Sequence, residues 1–175
     1  MTEYAKEIKD AMRAAAASGE WSQINPLLEH HGNGLAIADL NGCSATALHY
    51  LTRDAPDVPA SAESIQHLTA IDNVNVDVHA VDVTPLLVAS WWGKVHHVRA
   101  LLRCGAIADP RGFFNQFKYL KANNNKIISS LLKNPPRTYK QELIDKRNLL
   151  AMILNKLISL GTKQDINQML ISIGY

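Results

Sequence analysis

Hydrophobic positions recur along most of the chain with the three- and four-residue spacing of amphipathic helices. Tyr4, Ile8 and Met12 begin such a series, and Gly19 ends the helix that it predicts. Further helices are predicted over about 22–30, over 85–92 paired with 95–103, and in the tail. The tail helix has one apolar face, formed by Leu143, Leu150, Ile153, Leu154, Leu157 and Ile158.

One stretch alternates as a strand would, with apolar residues at Val74, Val76, Val78 and Val83. We interpret it as an extended loop, because an isolated strand would find no partner. Consecutive prolines at Pro135 and Pro136 cannot continue a helix and predict a break. The fold class predicted from these patterns is therefore all-α.

The segment 83–106 reads VTPLLVASWWGKVHHVRALLRCGA and carries the clearest local pattern. Thr84 can cap the helix that Pro85 starts, since proline tolerates a first helical position. Gly93 and Gly105 follow the two predicted helices, where a positive φ costs glycine little. A double leucine, Leu101 and Leu102, ends the second helix. We expect it to face the partner helix and the repeat unit that follows in the chain.

This segment resembles the ankyrin repeat, whose pattern is a T-P-L-H-x-A opening, two short helices separated by glycine, a double leucine and Gly-Ala. A partial copy opens at Thr46, and His49 stands at the motif histidine, which the resemblance implies helps to hold neighbouring turns. Leu68 precedes Leu101 by 33 residues, the repeat period. We expect residues 54–61, DAPDVPAS, to be an inserted loop.

The resemblance covers residues 1–134, with the best unit at 79–108 and degenerate units at both ends. It implies an ankyrin-repeat solenoid of about four helix-pair units. Residues 135–175 are expected to form a basic helical C-terminal cap, packed on the repeats as one continuous domain.

Composition places the chain among ordinary globular proteins, at 47% hydrophobic and 19% charged residues. The longest strongly apolar stretch, 149–154, is far shorter than the roughly 20 residues of a membrane span. No secretory signal pattern opens the sequence, so we expect a cytoplasmic protein. Residues 1–112 hold 8 Lys/Arg against 13 Asp/Glu, whereas 113–175 hold 10 against 3.

Catalytic and metal patterns are not indicated. None of the seven histidines lies in an HExxH or HxH arrangement, and the adjacent His96 and His97 must point to different helix faces. Cys43 and Cys104 lack CxxC spacing, and no glycine-rich loop has the residues that hold phosphate. We therefore expect no enzyme activity, no cofactor and no metal.

Two adjacent tryptophans, Trp91 and Trp92, are the main candidates for partner binding. Neighbours on a helix lie about 100° apart, so both cannot be buried on one narrow face. The equivalent residues of the adjoining units are Arg53 and Asp54 before and Lys121 after, and together they predict a stripe of binding residues.

The predicted function is a monomeric protein–protein interaction module that presents these residues on a rigid concave face. A first alternative is a bacterial effector or inhibitor-like protein that binds a host or cognate protein, and it would act in the host cytosol if secreted. A second alternative is a binder of nucleic acid or anionic membrane through the basic tail, whose cations are dispersed and carry no recognition motif.

Overall fold

The computed structural model describes residues 4–81, 83–108 and 125–160, and within them every regular element is a helix. This confirms the all-α class. The chain divides into two compact units, Met1–Thr138 and Tyr139–Tyr175. Among the described residues, no helix combines the length and the apolar character that crossing a bilayer requires. The helices are α1 Lys6–Ser18, α2 Trp21–His31, a short 3-10 helix Asn33–Ile37, α3 Ala47–Asp54, α4 Pro59–Thr69, α5 Pro85–Trp91, α6 Val95–Arg103, α7 Asn125–Lys133 and α8 Tyr139–Leu160.

Helix ends in the best repeat segment follow the sequence pattern. The Thr84 hydroxyl accepts a hydrogen bond from the Leu87 N–H at 3.3 Å, and Pro85 is the first residue of α5. Gly93 and Gly105 adopt φ of 70° and 96°, the left-handed region in which a Cβ is disfavoured. The predicted cap and both glycine turns are therefore confirmed.

The segment 54–61 is not an inserted loop, and that expectation is wrong. Only residues 55–58 connect α3 to α4, because Pro59 starts α4 and residues 59–61 form its first turn. Val58 is extended, with φ −126° and ψ 160°, as a residue before proline prefers. Proline is favoured at the first position of a helix as well as in loops, and Pro59 takes the helical position here.

Helices α1 to α6 pack as three successive pairs. The first helix of each pair (α1, α3, α5) belongs to one row, and the second helix (α2, α4, α6) belongs to the other. α1 contacts α2, α3 contacts α4, and α5 contacts α6; α3 also contacts α1 and α5, while α4 contacts α2 and α6. Equivalent leucines or methionine fill the row of first helices, as Met12, Leu48 and Leu86 are each at most 1% exposed. Burying one such side chain contributes about 1.5–3 kcal/mol, so this row is a continuous core.

The second helices contribute the double-leucine positions. Leu28, Leu68, Leu101 and Leu102 are all buried, as the repeat pattern predicts for the last two. α7 packs on α6 and buries Ile128 completely. The predicted first helix of a fourth unit falls between residues 109 and 124 and lies outside the described residues.

The alternating valine segment is a loop, as predicted. Its residues 74–78 form turns, and an isolated pair of hydrogen bonds joins Ala80 to Val83. The break at Pro135 and Pro136 is also confirmed, since helix is interrupted between Lys133 and Tyr139. In the second unit, Leu143 and Leu150 of α8 are exposed. That residues 135–175 cap the repeats stays a prediction.

Candidate functional site

Trp91 and Trp92 end helix α5 and are 46% and 47% exposed. They diverge from the buried face because Leu86, Ala89 and Ser90 occupy the inner side of this short helix. Large aromatic side chains at such exposure are the residue type that most often dominates binding energy in protein interfaces. The geometry agrees with the accessibility expected of a helical pair, and the binding role stays a prediction.

Arg53 and Asp54 occupy the positions of α3 that correspond to Trp91 and Trp92 of α5, counted from Thr46 and Thr84. Arg53 binds the Asp54 carboxylate through two N–H groups, each at 2.8 Å. This hydrogen-bonded pair raises the pKa of the guanidinium. Both predicted residues are exposed, whereas Lys121 lies outside the described residues.

Tyr50 is buried between Arg53 and Arg13 of α1, and this contact was not predicted. The Arg53 guanidinium lies 4.7 Å from the centre of the Tyr50 ring, and that of Arg13 lies 6.0 Å from it. Cations at this distance are attracted to an aromatic ring. Arg13 also pairs with Asp10 on its own helix. Three first-helix residues from two successive pairs therefore form one cation–aromatic row.

Basic side chains also line a cleft of about 400 Å³ beside α1. Lys6, Lys9 and Arg13 face it across from the turn at residues 40–42. Their spacing of three and four residues was visible in the sequence, where it places them on one helix face. They stand in a part of the chain, residues 1–112, that is acidic overall.

The turn opposite is held by Asp39, whose carboxylate accepts hydrogen bonds from the N–H groups of Asn41 and Gly42 at 3.1 and 2.9 Å. Burial alone would raise the pKa of this carboxyl, but the backbone N–H donors outweigh burial and hold it below its ordinary value. The carboxylate thus stabilises the wall of the cleft.

His49 connects the second helix pair to the third. Its Nδ1 accepts from the Thr46 N–H at 3.3 Å, and its Nε2 donates to the Val83 carbonyl at 3.1 Å. This pattern requires the neutral ring with its proton on Nε2. Burial lowers the pKa of His49, with His79 acting in the same direction, so the neutral form is favoured. The geometry matches the turn-holding role that the resemblance implies.

His97 makes a second connection between the same two pairs and was not predicted. The ring is fully buried, and its Nε2 lies 3.0 Å from the Pro56 carbonyl and 2.8 Å from the Ser61 hydroxyl. The Asp57 carboxylate accepts from the N–H groups of His96 and His97 and so caps α6. Burial lowers the pKa of His97.

Lys94 completes this connection. Its Nζ donates to the carbonyls of Arg53 at 2.7 Å and Ala55 at 2.5 Å, at the C-terminal end of α3. A cation there compensates the partial negative charge of the helix end. Burial lowers the pKa of Lys94, and Asp54 and Asp57 act against that effect. No periodicity reveals this contact, since it joins residues about 40 positions apart.

The two cysteines differ in their surroundings, since Cys43 is exposed and Cys104 is partly buried. The Cys104 thiol is half-buried and accepts from the Thr69 hydroxyl, and burial raises its pKa. In the described ranges, no three His, Cys, Asp or Glu residues gather as a metal site would require. Comparisons with models of known protein families, with curated proteins and with solved structures found no match to this chain.

Proposed function

We propose that the chain is a protein–protein interaction module built as an ankyrin-type solenoid. Supporting this, first helices pack on first helices and second on second across three successive pairs. The Thr46–His49 opening hydrogen-bonds to Val83, which directly precedes the opening of the next unit at Thr84. Stacked pairs of this kind bury a shared core that no pair could bury alone.

The observation that carries the binding role is the exposure of Trp91 and Trp92, about half of each side chain, on a helix fixed by neighbours on both sides. A partner that covered them would remove large apolar surfaces from water. The ordering cost of binding is small when the anchors already sit on packed helices. Arg53 and Asp54 provide polar contacts at the equivalent positions of the preceding helix.

The test is capture of partner proteins by the full-length chain compared with the Trp91→Ala/Trp92→Ala double variant. The control is Ile37→Ala/Ile127→Ala, because these side chains are 45% and 48% exposed but lie elsewhere. Circular dichroism verifies that all three chains are folded. We expect proteins retained by the wild type and the control to be lost from the tryptophan variant. Equal retention by all three would contradict the proposal.

A further inference from the structure

The cleft beside α1 is lined by three basic residues and one acidic residue, Asp10, so basic side chains are in excess. Lys6, Lys9 and Arg13 project from one face of α1, and the cleft of about 400 Å³ lies between them and the turn that contains Asn41. This volume is in the range that holds a few side chains of a ligand. The cleft is therefore large enough to admit part of a partner chain.

The neighbouring acids are already engaged. Asp10 pairs with Arg13, and Asp39 accepts the backbone N–H groups of its own turn. Lys9 lies close enough to help lower the pKa of the Asp39 carboxyl, but the two make no ion pair. Over the part of the chain that the structure describes, neither Lys6 nor Lys9 forms a salt bridge. Two ammonium groups thus remain available to external carboxylates.

Guanidinium groups, each paired with a carboxylate of its own helix, continue from the cleft along the row of first helices. Arg13 borders the cleft and also faces the Tyr50 ring, and Arg53 lies against the same ring. Arg53 holds the position that Trp91 holds on the next helix. A chain bound in the cleft can therefore extend towards the proposed tryptophan anchors without leaving this row.

We infer that the cleft binds an acidic segment of the protein partner, an inference that rests on the proposed function. The occupant is an acidic peptide because the positive charge is local: residues 1–112 carry five more acidic than basic side chains. Screening limits charge interactions at the surface to roughly 8 Å at physiological ionic strength. A short carboxylate segment meets only the lysines within that distance, whereas a long polyphosphate also meets the acidic remainder.

The experiment measures binding of a fluorescein-labelled oligo-glutamate peptide to the full-length chain by anisotropy, at low and at physiological salt. The test variant is Lys6→Glu/Lys9→Glu. The control is Lys140→Glu/Lys146→Glu, which makes the same change in net charge at exposed lysines of α8. We expect affinity to fall at least about tenfold in the test variant, equivalent to roughly 1.4 kcal/mol, and to stay within about twofold in the control.

Three results would overturn the inference: no binding by the wild type at low salt, unchanged binding by the test variant, or equal loss in both variants. A single-stranded oligonucleotide and anionic vesicles serve as competitors. If either displaces the peptide and loses affinity chiefly in the Lys140/Lys146 variant, the basic tail carries the binding instead.

The Trp91→Ala/Trp92→Ala variant separates this inference from the proposed function. Oligo-glutamate occupies the cleft alone, so we expect the tryptophan variant to bind it as tightly as the wild type. If peptide binding depends on Lys6 and Lys9 while protein capture survives the tryptophan changes, the proposed anchors are wrong and the cleft stands. If the tryptophan changes abolish protein capture and the wild type binds no peptide, the tryptophan anchors stand and the inference about the cleft is wrong.

Discussion

The two joints between helix pairs occupy equivalent places in the fold but are built from different chemistry. The first joint, between α1–α2 and α3–α4, depends on close approach at Gly19, which has φ 78°. A Cβ there would lie 2.8 Å from that of Ser61 and 2.9 Å from that of Ala55. Ser64 donates to the Gly19 carbonyl at 2.8 Å. Close packing and one neutral hydrogen bond hold this joint, together with two ring contacts, Arg13 on Tyr50 and Trp21 on His67.

The second joint, between α3–α4 and α5–α6, is held by titratable side chains. His49, Lys94 and His97 each reach a backbone carbonyl of the neighbouring pair. His97 and Ser64 have the same role, since each leaves a second helix to bind the turn of the preceding pair. The equivalent hydrogen bond is thus made by a hydroxyl that does not titrate at the first joint and by an imidazole that does at the second.

The largest expected effect is at the first joint. Gly19→Ala should lower the free energy of unfolding by about 3 kcal/mol, because it adds overpacking to left-handed backbone strain. Gly42→Ala is the matched control, with φ 79° and no neighbouring atom within 4 Å of its Cβ position. It should cost only about 1 kcal/mol. Urea denaturation measures both, and equal losses would show that Gly19 is not closely packed.

At the second joint, Lys94→Met should lower the free energy of unfolding by about 2 kcal/mol, because it keeps the aliphatic stem but leaves two helix-end carbonyls without their cation. Lys126→Met is the control, since that lysine is exposed on α7. It should stay within about 0.5 kcal/mol of the wild type in urea denaturation. A Lys94 variant as stable as this control would show that the Lys94 ammonium does not stabilise the C-terminal end of α3.

Acid should weaken the second joint selectively. His49 and His97 have folded-state pKa values below their ordinary 6.5, with burial the first cause of both shifts. Charges facing them are Lys94 and Asp57 beside His97, and His79 beside His49. The unfolded chain therefore binds protons first as the pH falls. Stability is fully present above pH 6.5 and is lost below it, at up to about 1.4 kcal/mol per pH unit for each histidine.

Denaturation at a series of pH values checks this slope. His97→Gln should be less stable at neutral pH but should lose less on acidification, since one of the two groups no longer titrates. His96→Gln is the control, because that side chain is exposed, and it should keep the wild-type slope. A slope unchanged by His97→Gln would mean that the ring is not held neutral in the folded chain.

The smallest effect belongs to Ser64→Ala at the first joint. Loss of the hydrogen bond to the Gly19 carbonyl should cost about 1 kcal/mol. Neither group of that bond titrates, so the cost should be the same at pH 7 and at pH 5.5 in thermal denaturation. A cost that differed between these two pH values would mean that the protonation of another group at the first joint affects this hydrogen bond.

Local sequence was enough to predict the short helices, their caps and their glycine turns. The Thr84 cap, the positive φ of Gly93 and Gly105, and the buried Leu101 and Leu102 depend on residues a few positions apart, where periodicity and turn chemistry act directly. The same reasoning failed at 54–61, because Pro59 suits a loop and the first turn of a helix equally well. In the structure, Pro59 starts α4, and this helix packs against α6 and α2.

In the candidate site, too, some features could be predicted from local sequence and others depend on tertiary contacts. Helical geometry predicted that at least one of Trp91 and Trp92 is exposed, since adjacent residues on a helix cannot share a narrow buried face. In the structure both are exposed. The cation–aromatic row at Tyr50, the cap by Lys94 and the buried ring of His97 depend on residues from different helix pairs. Their pairing requires the stacking of those pairs, which no local pattern specifies.

By itself, the sequence determined an all-α chain, the ends of α5 and α6, and the exposure of at least one of the two tryptophans, because propensity and periodicity act over a few residues. Only the tertiary structure decided which carbonyls His49 and His97 reach, how closely Gly19 approaches Ser61, and that Lys6 and Lys9 border a cleft. These features depend on three-dimensional neighbours roughly 30 to 45 positions apart in the chain. Such contacts form only when the helix pairs stack and remove their shared apolar faces from water.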